Sequence, residues 1–182
     1  MIRTARARHT GLWLRFAIHT GSGHDLAVDD DAGNTGARPT ELLLAALAGC
    51  SAFDVASILT KKRQRVDAYE VIVTGQQREN RHPHVFERID VVHEVTGPDL
   101  DTAAVRRSIE LSATRYCTAS AMLSAGPAEI HHRFVIHRAG AARETGEVAV
   151  TGPHADPDAP GSRVASAGND AASSRVREGA TA

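Results

Sequence analysis

The alternation of hydrophobic and polar positions along the chain predicts five β-strands. In each strand apolar residues recur at alternate positions, as one face of a half-buried strand requires. The alternating positions lie at 12–18, 24–28, 69–73, 85–95 and 130–136. Polar segments containing glycine or proline, at 21–23 and 76–83, separate the first strand from the second and the third from the fourth. We therefore predict two hairpins.

A long helix is predicted from Thr40 to about Lys62, between the second and third strands. Pro39 suits the first helical turn, and Glu41 complements the positive end of the helix dipole. The segment contains no internal proline. About 23 residues at a rise of 1.5 Å each make a helix of about 35 Å.

Residues 42–49 of this helix read Leu-Leu-Leu-Ala-Ala-Leu-Ala-Gly and leave almost no polar face. A helix that is apolar all round has to be buried all round. A small domain achieves this only when a sheet covers one side of the helix and another chain covers the other. We therefore expect a central helix in an obligate oligomer. Gly49 costs about 1 kcal/mol in a helix interior, which is tolerable if another group approaches the backbone closely beside Cys50.

A second helix is predicted to begin after Asp99 or Asp101, either of which can cap it. Apolar residues recur at helical spacing from Val105 to Tyr116, and a short apolar piece follows at 119–123. The last strand comes after a Gly-Pro pair. Strands in hairpins with helices on one face make the fold class α+β, with an antiparallel sheet packed on the long helix.

The composition of the chain changes near Arg138. Residues 139–182 contain no Leu, Ile, Met, Phe, Tyr or Trp. Such a segment cannot bury enough apolar surface to offset about 1–2 kcal/mol of backbone entropy per residue. We predict one folded domain over residues 1–138 and a disordered tail over residues 139–182, rich in Ala, Gly, Pro and Ser.

The charge of the chain is nearly balanced, with 21 basic and 22 acidic residues. Such a chain has no electrostatic reason to bind nucleic acid or an anionic membrane. It has no uninterrupted run of about 18 apolar residues, so we expect no transmembrane helix. The N-terminal basic residues have no apolar segment behind them, so we expect no signal peptide and a cytoplasmic location.

Two cysteines, Cys50 and Cys117, are the first candidates for chemistry. They are too few for a disulfide scaffold and too far apart for a CxxC motif. One interpretation is that both are inert thiols in the core. The other is that Cys50 reacts as a thiolate, which requires a nearby cation. Arg15, Arg38 and Arg115 are the candidates for that cation, and the sequence does not decide among them.

The remaining polar motifs give weaker signals. His131 and His132 would point to opposite faces of a strand, so they cannot chelate as a pair, and we interpret them as solvent-facing. No phosphate-binding or hydrolase motif is present. The basic run 61–65 has no interleaved aromatic residues, so we interpret it as the solvated end of the long helix.

The chain resembles the OsmC/Ohr family of osmotically inducible and organic hydroperoxide resistance proteins over about residues 10–138. The strongest part of the resemblance is the stretch from Arg38-Pro39 to Gly49-Cys50. Further parts are Gly23-His24-Asp25-Leu26, the helix end Lys62-Arg63, Pro83 to Ile89, and Ile109-Glu110-Leu111-Ser112 through Tyr116-Cys117. Two separated cysteine motifs thus occur in the order that the family has.

This resemblance implies an intertwined homodimer in which sheets wrap around two long central helices. It implies that Cys50 is the peroxidatic thiolate, which attacks an organic hydroperoxide, and that Cys117 resolves the resulting sulfenic acid as a disulfide. A dithiol of the lipoyl type would then reduce the disulfide. No cofactor and no metal are implied. Arg38 and Glu41 are the candidates in this chain for the residues that activate Cys50, although neither occupies the position at which the family carries its arginine or glutamate.

The sequence departs from the family pattern at two places. The best-studied members carry Glu directly after the helix proline, where this chain has Thr40. Glu41 lies about 180° from Cys50 around a straight helix. Those members also carry an arginine about ten residues earlier, in the region where this chain has three aspartates at 29–31. The alternative hypothesis is therefore a non-enzymatic dimer of the same fold that senses redox state or binds a ligand.

Overall fold

The computed structural model describes residues 1–153 of the 182-residue chain. Seven strands and three α-helices follow one another within these residues, and a five-residue π-helical segment joins α2 to α3. Their bounds are β1 Ala5–His9, β2 Phe16–Thr20, β3 Asp25–Val28, α1 Pro39–Lys61, β4 Ala68–Gln77, β5 Phe86–Thr96, α2 Thr102–Leu111, the π-helical segment Ser112–Tyr116, α3 Thr118–Ser124, β6 Glu129–His137 and β7 Glu144–Thr151.

The strands form two separate sheets. The N-terminal sheet has the order β1-β2-β3 and is antiparallel throughout. The C-terminal sheet has the order β4-β5-β6-β7, and its β5–β6 pair is parallel. The predicted α+β class is confirmed, but the expectation of an antiparallel sheet is wrong for this pair. The helical connection α2 to α3 returns the chain to the end where β5 began, which is what a parallel pair requires.

The N-terminal sheet differs from the prediction in two ways. Strand β1 was not predicted, because its sequence Ala-Arg-Ala-Arg-His has no apolar alternation and all five residues are exposed. Strand β2 begins at Phe16 and not at Leu12. Residues 11–14 form a bend and turn instead, with Trp13 exposed and in the left-handed region at φ +28°. The alternation at 12–18 therefore overstates the length of this strand.

The predicted domain boundary at residue 138 is wrong, because β7 lies inside the segment expected to be disordered. Strand β7 pairs antiparallel with β6. Its Val148 and Ala149 are buried in the core. A strand that receives its hydrogen bonds from a neighbour and covers only part of one face needs few large apolar residues. The rest of the predicted tail, residues 154–182, lies outside the described residues.

Helix α1 spans 23 residues with nearly the predicted ends. A Glu41 carboxylate oxygen accepts a hydrogen bond of 2.9 Å from the Arg38 backbone N–H and so caps the first turn. Leu47, Val55 and Leu59 are buried on the side that packs against the C-terminal sheet. The opposite side is open within one chain: the side chain of Phe53 is 80% exposed. One chain therefore does not bury this helix all round.

By length and composition α1 is apolar enough to cross a membrane, because an 18-residue stretch of it has a mean hydropathy of 2.0. The expectation of no transmembrane helix stays a prediction, because length and composition alone do not show that a helix spans a membrane. Small residues such as Gly49 and Ser51 interrupt the apolar run without lowering its mean hydropathy far. One such helix is weak evidence for a membrane, since the core helix of a soluble protein has the same length and composition.

The core consists of two apolar clusters separated by polar side chains. One cluster contains Leu47, Ile89 and Ile130, and the other contains Val55, Val95 and Ile136. Between them along α1, β5 and β6 lie three fully buried polar residues, which we call the polar layer: Ser51, His93 and His132. His132 was expected to face solvent, so that interpretation is wrong.

Candidate active site

Cys50 lies at the middle of α1, on a side of the helix that is only half covered. The residue before it, Gly49, has open space where a Cβ would stand. The close approach that we expected at this glycine is therefore not made by the described part of the same chain. Asp54 follows Cys50 by four positions, so that both side chains lie on one face of the helix.

Cys117 lies where the π-helical segment ends and α3 begins, and its side chain is only 2% exposed. The Ser120 backbone N–H donates a hydrogen bond of 3.3 Å to the Cys117 sulfur. The Ser51 hydroxyl lies 3.6 Å from the same sulfur. Single π-helical turns are frequent at functional sites, and this one turns the chain so that Cys117 faces α1.

The fold brings Cys50, Asp54 and Cys117 together. The two sulfur atoms and one Asp54 carboxylate oxygen all lie within 4.8 Å of one another. Both cysteines are free thiols in this structure. Two sulfurs at such a separation can form a disulfide after small side-chain rotations. The same three donors are also close enough to hold a metal ion, with two soft sulfur ligands of the kind that zinc accepts.

The two thiols of this cysteine pair have different environments. Burial, first of all, and the hydrogen bond with Cys50 raise the pKa of Cys117 to about 11, although the Ser120 N–H and the Ser51 hydroxyl act in the opposite direction. Cys117 therefore carries its proton at neutral pH. Cys50 is half-buried and lies nearer to solvent.

Asp54 is held in place by the neighbouring helical segment. The Ser112 hydroxyl donates a hydrogen bond of 3.2 Å to Asp54 Oδ2. Asp54 also lines an open cavity of about 490 Å³ on the protein surface, together with Phe53, Lys61 and Tyr116. The carboxylate thus stands between the cysteine pair and a cavity that is open within one chain.

The comparison with known protein families finds a match over the part of the chain that contains both cysteines. The model of the family described as OsmC-like protein matches residues 31–133, which include both cysteines and Asp54. The chain belongs to the OsmC-like family. The resemblance to OsmC/Ohr proteins stated from the sequence is thereby confirmed.

Relatives and solved structures agree with this assignment. The protein YhfA of Escherichia coli strain K12 is 44% identical over 110 residues, which are 60% of this chain and 81% of YhfA. An OsmC-like protein from Mycoplasma pneumoniae has the same fold, with a TM-score of 0.65, 16% identity, and coverage of 75% of this chain and 97% of the other. The organic hydroperoxide resistance protein OhrB of Bacillus subtilis has a TM-score of 0.51, 20% identity, and coverage of 74% and 98%.

Arg38 and Glu41 of this OsmC-like protein lie far from Cys50 within one chain. Arg38 precedes Cys50 by twelve positions, about 18 Å along the helix. Its guanidinium pairs with Asp31 at 2.5 Å and also donates to Asn34. Glu41 caps the helix, as described above. The structure therefore does not bring these two predicted site residues to the cysteine pair of the same chain.

The other two candidate cations are also engaged elsewhere. Arg15 lies near Asp29 in the N-terminal region, where its charge helps to lower the pKa of that carboxyl, whose Thr35 hydrogen bond is the main cause. The Arg115 guanidinium lies over the ring of Tyr116 at 5.6 Å from the centroid. Among the described residues, the hydrogen-bond partners of the Cys117 sulfur are Ser51, Ser120 and Cys50, and none of them is an arginine or a lysine.

Sequence reasoning missed three residues of the site, which are Asp54, Ser51 and Ser112. The position of Asp54 on the Cys50 face was evident from the spacing of four residues, but its proximity to Cys117 was not. Ser112 lies five positions before Cys117 and reaches Asp54 only because the π-helical segment packs on α1.

Proposed function

We propose that this OsmC-like protein reduces organic hydroperoxides with the cysteine pair, Cys50 and Cys117. The observation that carries the proposal is that the two sulfur atoms, 67 residues apart in the chain, lie within 4.8 Å of each other with unequal exposure. A disulfide bond is about 2.05 Å long. Its closure therefore requires a movement of less than about 3 Å between the two sulfurs.

The unequal exposure supports different roles for the two cysteines. Cys50, nearer to solvent, attacks the terminal oxygen of the hydroperoxide. An S–O bond forms, the O–O bond breaks, and the alkoxide leaves as an alcohol after it takes up a proton. Cys50 is then a sulfenic acid. Cys117, buried and protonated until this stage, gives up its proton and attacks the Cys50 sulfur, so that a disulfide forms and hydroxide leaves as water.

The cycle closes with an external dithiol. We propose a reductant of the lipoyl type, which donates two electrons and two protons and leaves as its own disulfide. The two protein thiols are thereby restored. A chain whose working state has two free thiols fits a reducing compartment, and we propose the cytoplasm.

We also propose a homodimer that covers the open side of α1. Exposed residues on α1 recur every three or four positions, so they share one face, which we call the uncovered face: Leu43, Ala46, Gly49, Phe53, Ala56 and Thr60. Only 22% of the residues in the apolar 18-residue stretch of this helix are buried within one chain. Small residues next to a large aromatic permit close packing of two such helices.

Light scattering coupled to size exclusion tests the dimer. We expect twice the chain mass for the wild type. Phe53→Asp places a charge in the uncovered face and should yield a monomer, whereas Thr96→Asp, at an exposed position on β5, should not. A monomeric wild type contradicts the dimer.

Peroxide turnover tests the function. The reduced full-length protein should consume cumene hydroperoxide continuously when dihydrolipoamide is supplied, and the reaction can be followed through NADH with lipoamide dehydrogenase. Cys50→Ser should abolish turnover. Cys117→Ser should allow a single oxidation, and its sulfenic acid should be trapped by dimedone.

The matched pair of serine variants tests both the activity and the roles of the two cysteines. A wild-type rate equal to that of Cys50→Ser contradicts the proposed activity. Equal behaviour of the two variants contradicts the assignment of separate roles.

A second candidate function is a non-enzymatic redox sensor, and one observation favours it. Arg38 pairs with Asp31 and does not reach Cys50 within the chain. A thiol without an activating cation reacts slowly. For a sensor we expect oxidation by peroxide to a stable disulfide without sustained turnover by a dithiol, so the NADH assay separates the two functions.

A further inference from the structure

We infer that Asp54 is a catalytic residue that carries one proton from the attacking cysteine to the leaving oxygen. This inference rests on the proposed peroxidase function. Its basis is geometric: one Asp54 carboxylate oxygen lies within 4.8 Å of both sulfur atoms, and the same side chain lines the open cavity beside α1.

The position of Asp54 is fixed from two sides. Its backbone is one helical turn beyond Cys50 on α1, and Ser112 holds Oδ2 from the π-helical segment. Within the described part of the chain, no hydrogen bond is made to Oδ1. A carboxylate with one anchored and one free oxygen is suited to accept a proton and to release it again.

The proton transfers balance in both half-reactions. In the first, Asp54 takes the proton from the Cys50 thiol, the sulfur attacks the terminal peroxide oxygen, and Asp54 gives the proton to the departing alkoxide. In the second, Asp54 takes the proton from Cys117, whose sulfur attacks the Cys50 sulfenic acid, and gives it to the departing hydroxide. Asp54 ends each half-reaction as a carboxylate.

If Asp54 acted only as a neighbouring charge, its replacement would change the reaction rate in the opposite direction. A carboxylate beside a thiol disfavours the thiolate, because like charges repel. If Asp54 did nothing else, its replacement by Asn would increase the thiolate fraction and accelerate the reaction with peroxide. Proton transfer instead requires that the replacement slow the reaction.

Several other titratable groups face Asp54 or the cysteine pair and would contribute to any pH profile. Besides the two thiols, these are Lys61 on α1, Tyr116 in the π-helical segment and Tyr69 on β4. Burial, and to a smaller extent the charge of Asp54, raises the pKa of Tyr69 well above its ordinary value. A test that depends on the leaving group and not on pH avoids this overlap.

The experiment compares two oxidants with different leaving groups. tert-Butyl hydroperoxide releases a strongly basic alkoxide, which needs a proton, whereas peracetic acid releases acetate, a far weaker base. Single-turnover oxidation of the reduced full-length protein is stopped by acid and measured by intact mass. Asp54→Asn is the variant of choice, because its amide oxygen still accepts the Ser112 hydrogen bond.

We expect Asp54→Asn to slow oxidation by tert-butyl hydroperoxide at least about 100-fold, the lower end of what general acid–base catalysis contributes. We expect less than about a tenfold effect with peracetic acid. Asp54→Glu keeps the carboxyl group and should recover part of the rate with the alkyl hydroperoxide. Circular dichroism should show that both variants are folded.

Each other outcome decides against the inference. An unchanged or faster Asp54→Asn reaction with tert-butyl hydroperoxide overturns the proton shuttle and leaves the peroxidase function intact. Equal slowing with both oxidants contradicts the delivery of a proton from Asp54 to the leaving oxygen, and the shuttle is then overturned. A wild-type protein that reacts with neither oxidant overturns the proposed function itself, and the inference with it.

Discussion

Replacement of His132 by leucine should make the protein less sensitive to acid. The His132 side chain is fully buried in the polar layer, and neither ring nitrogen has a hydrogen-bond partner among the described residues. Burial, and to a smaller extent the charge of His131, lowers the pKa of His132 to about 4. The native state therefore holds this imidazole in its neutral form.

The sign and size of this effect on stability follow from the difference between the pKa of His132 in the unfolded chain and its pKa in the folded chain. In the unfolded chain His132 binds a proton below a pKa of 6.5, but in the folded chain only below about 4. The unfolded state thus binds more protons throughout this window, so stability falls as the pH falls from 6.5 to 4. The full loss is about 3 kcal/mol, of which about 2 kcal/mol occurs between pH 7 and pH 5.

Urea unfolding at pH 7 and pH 5, at one fixed protein concentration, measures this loss. The wild type should lose more stability than His132→Leu, by about 2 kcal/mol. His82→Leu, at an exposed position, should lose as much as the wild type. Equal pH dependence of the wild type and His132→Leu refutes the reasoning.

Three further predictions concern the fold. Asp101→Ala should lower the free energy of unfolding, measured by urea titration, by about 1 kcal/mol, because Asp101 Oδ1 accepts a hydrogen bond from the Ala103 N–H at the start of α2. The control Asp99→Ala, at an exposed position, should change this free energy by less than about 0.5 kcal/mol. Ile109→Ala should cost about 2–5 kcal/mol, since the side chain is fully buried, and an effect no larger than that of exposed Leu12→Ala contradicts this. A chain ending at Arg138 should unfold or aggregate, whereas a chain ending at Pro153 should give a cooperative thermal transition, because only the second retains β7. Equal melting curves of the two chains would contradict the structural role of that strand.

Helix α1 could be predicted closely from the sequence, and two strands could not. The helix has a proline at its start, a long apolar stretch and basic residues at its end, all of which are local signals. Strand β1 has no apolar alternation, and its order comes from pairing with β2. Strand β7 contributes few buried residues, and its place is set by β6. The parallel pairing of β5 with β6 likewise depends on where the intervening helices pack.

The sequence identified the two cysteines but not the third member of their site. No local pattern places Asp54 near Cys117, because that contact depends on the packing of the π-helical segment against α1. The burial of His132, by contrast, was open to prediction. His132 lies on the same face of β6 as Ile130, Phe134 and Ile136, because alternate residues of a strand share a face, and these three residues face the core.

Peptide mapping of the reduced protein after one equivalent of cumene hydroperoxide tests the central claim most directly. The expected product is an intrachain disulfide between Cys50 and Cys117, formed in stoichiometric yield. Unmodified thiols, or oxidation of Cys50 to a sulfinic acid while Cys117 stays free, would contradict the account.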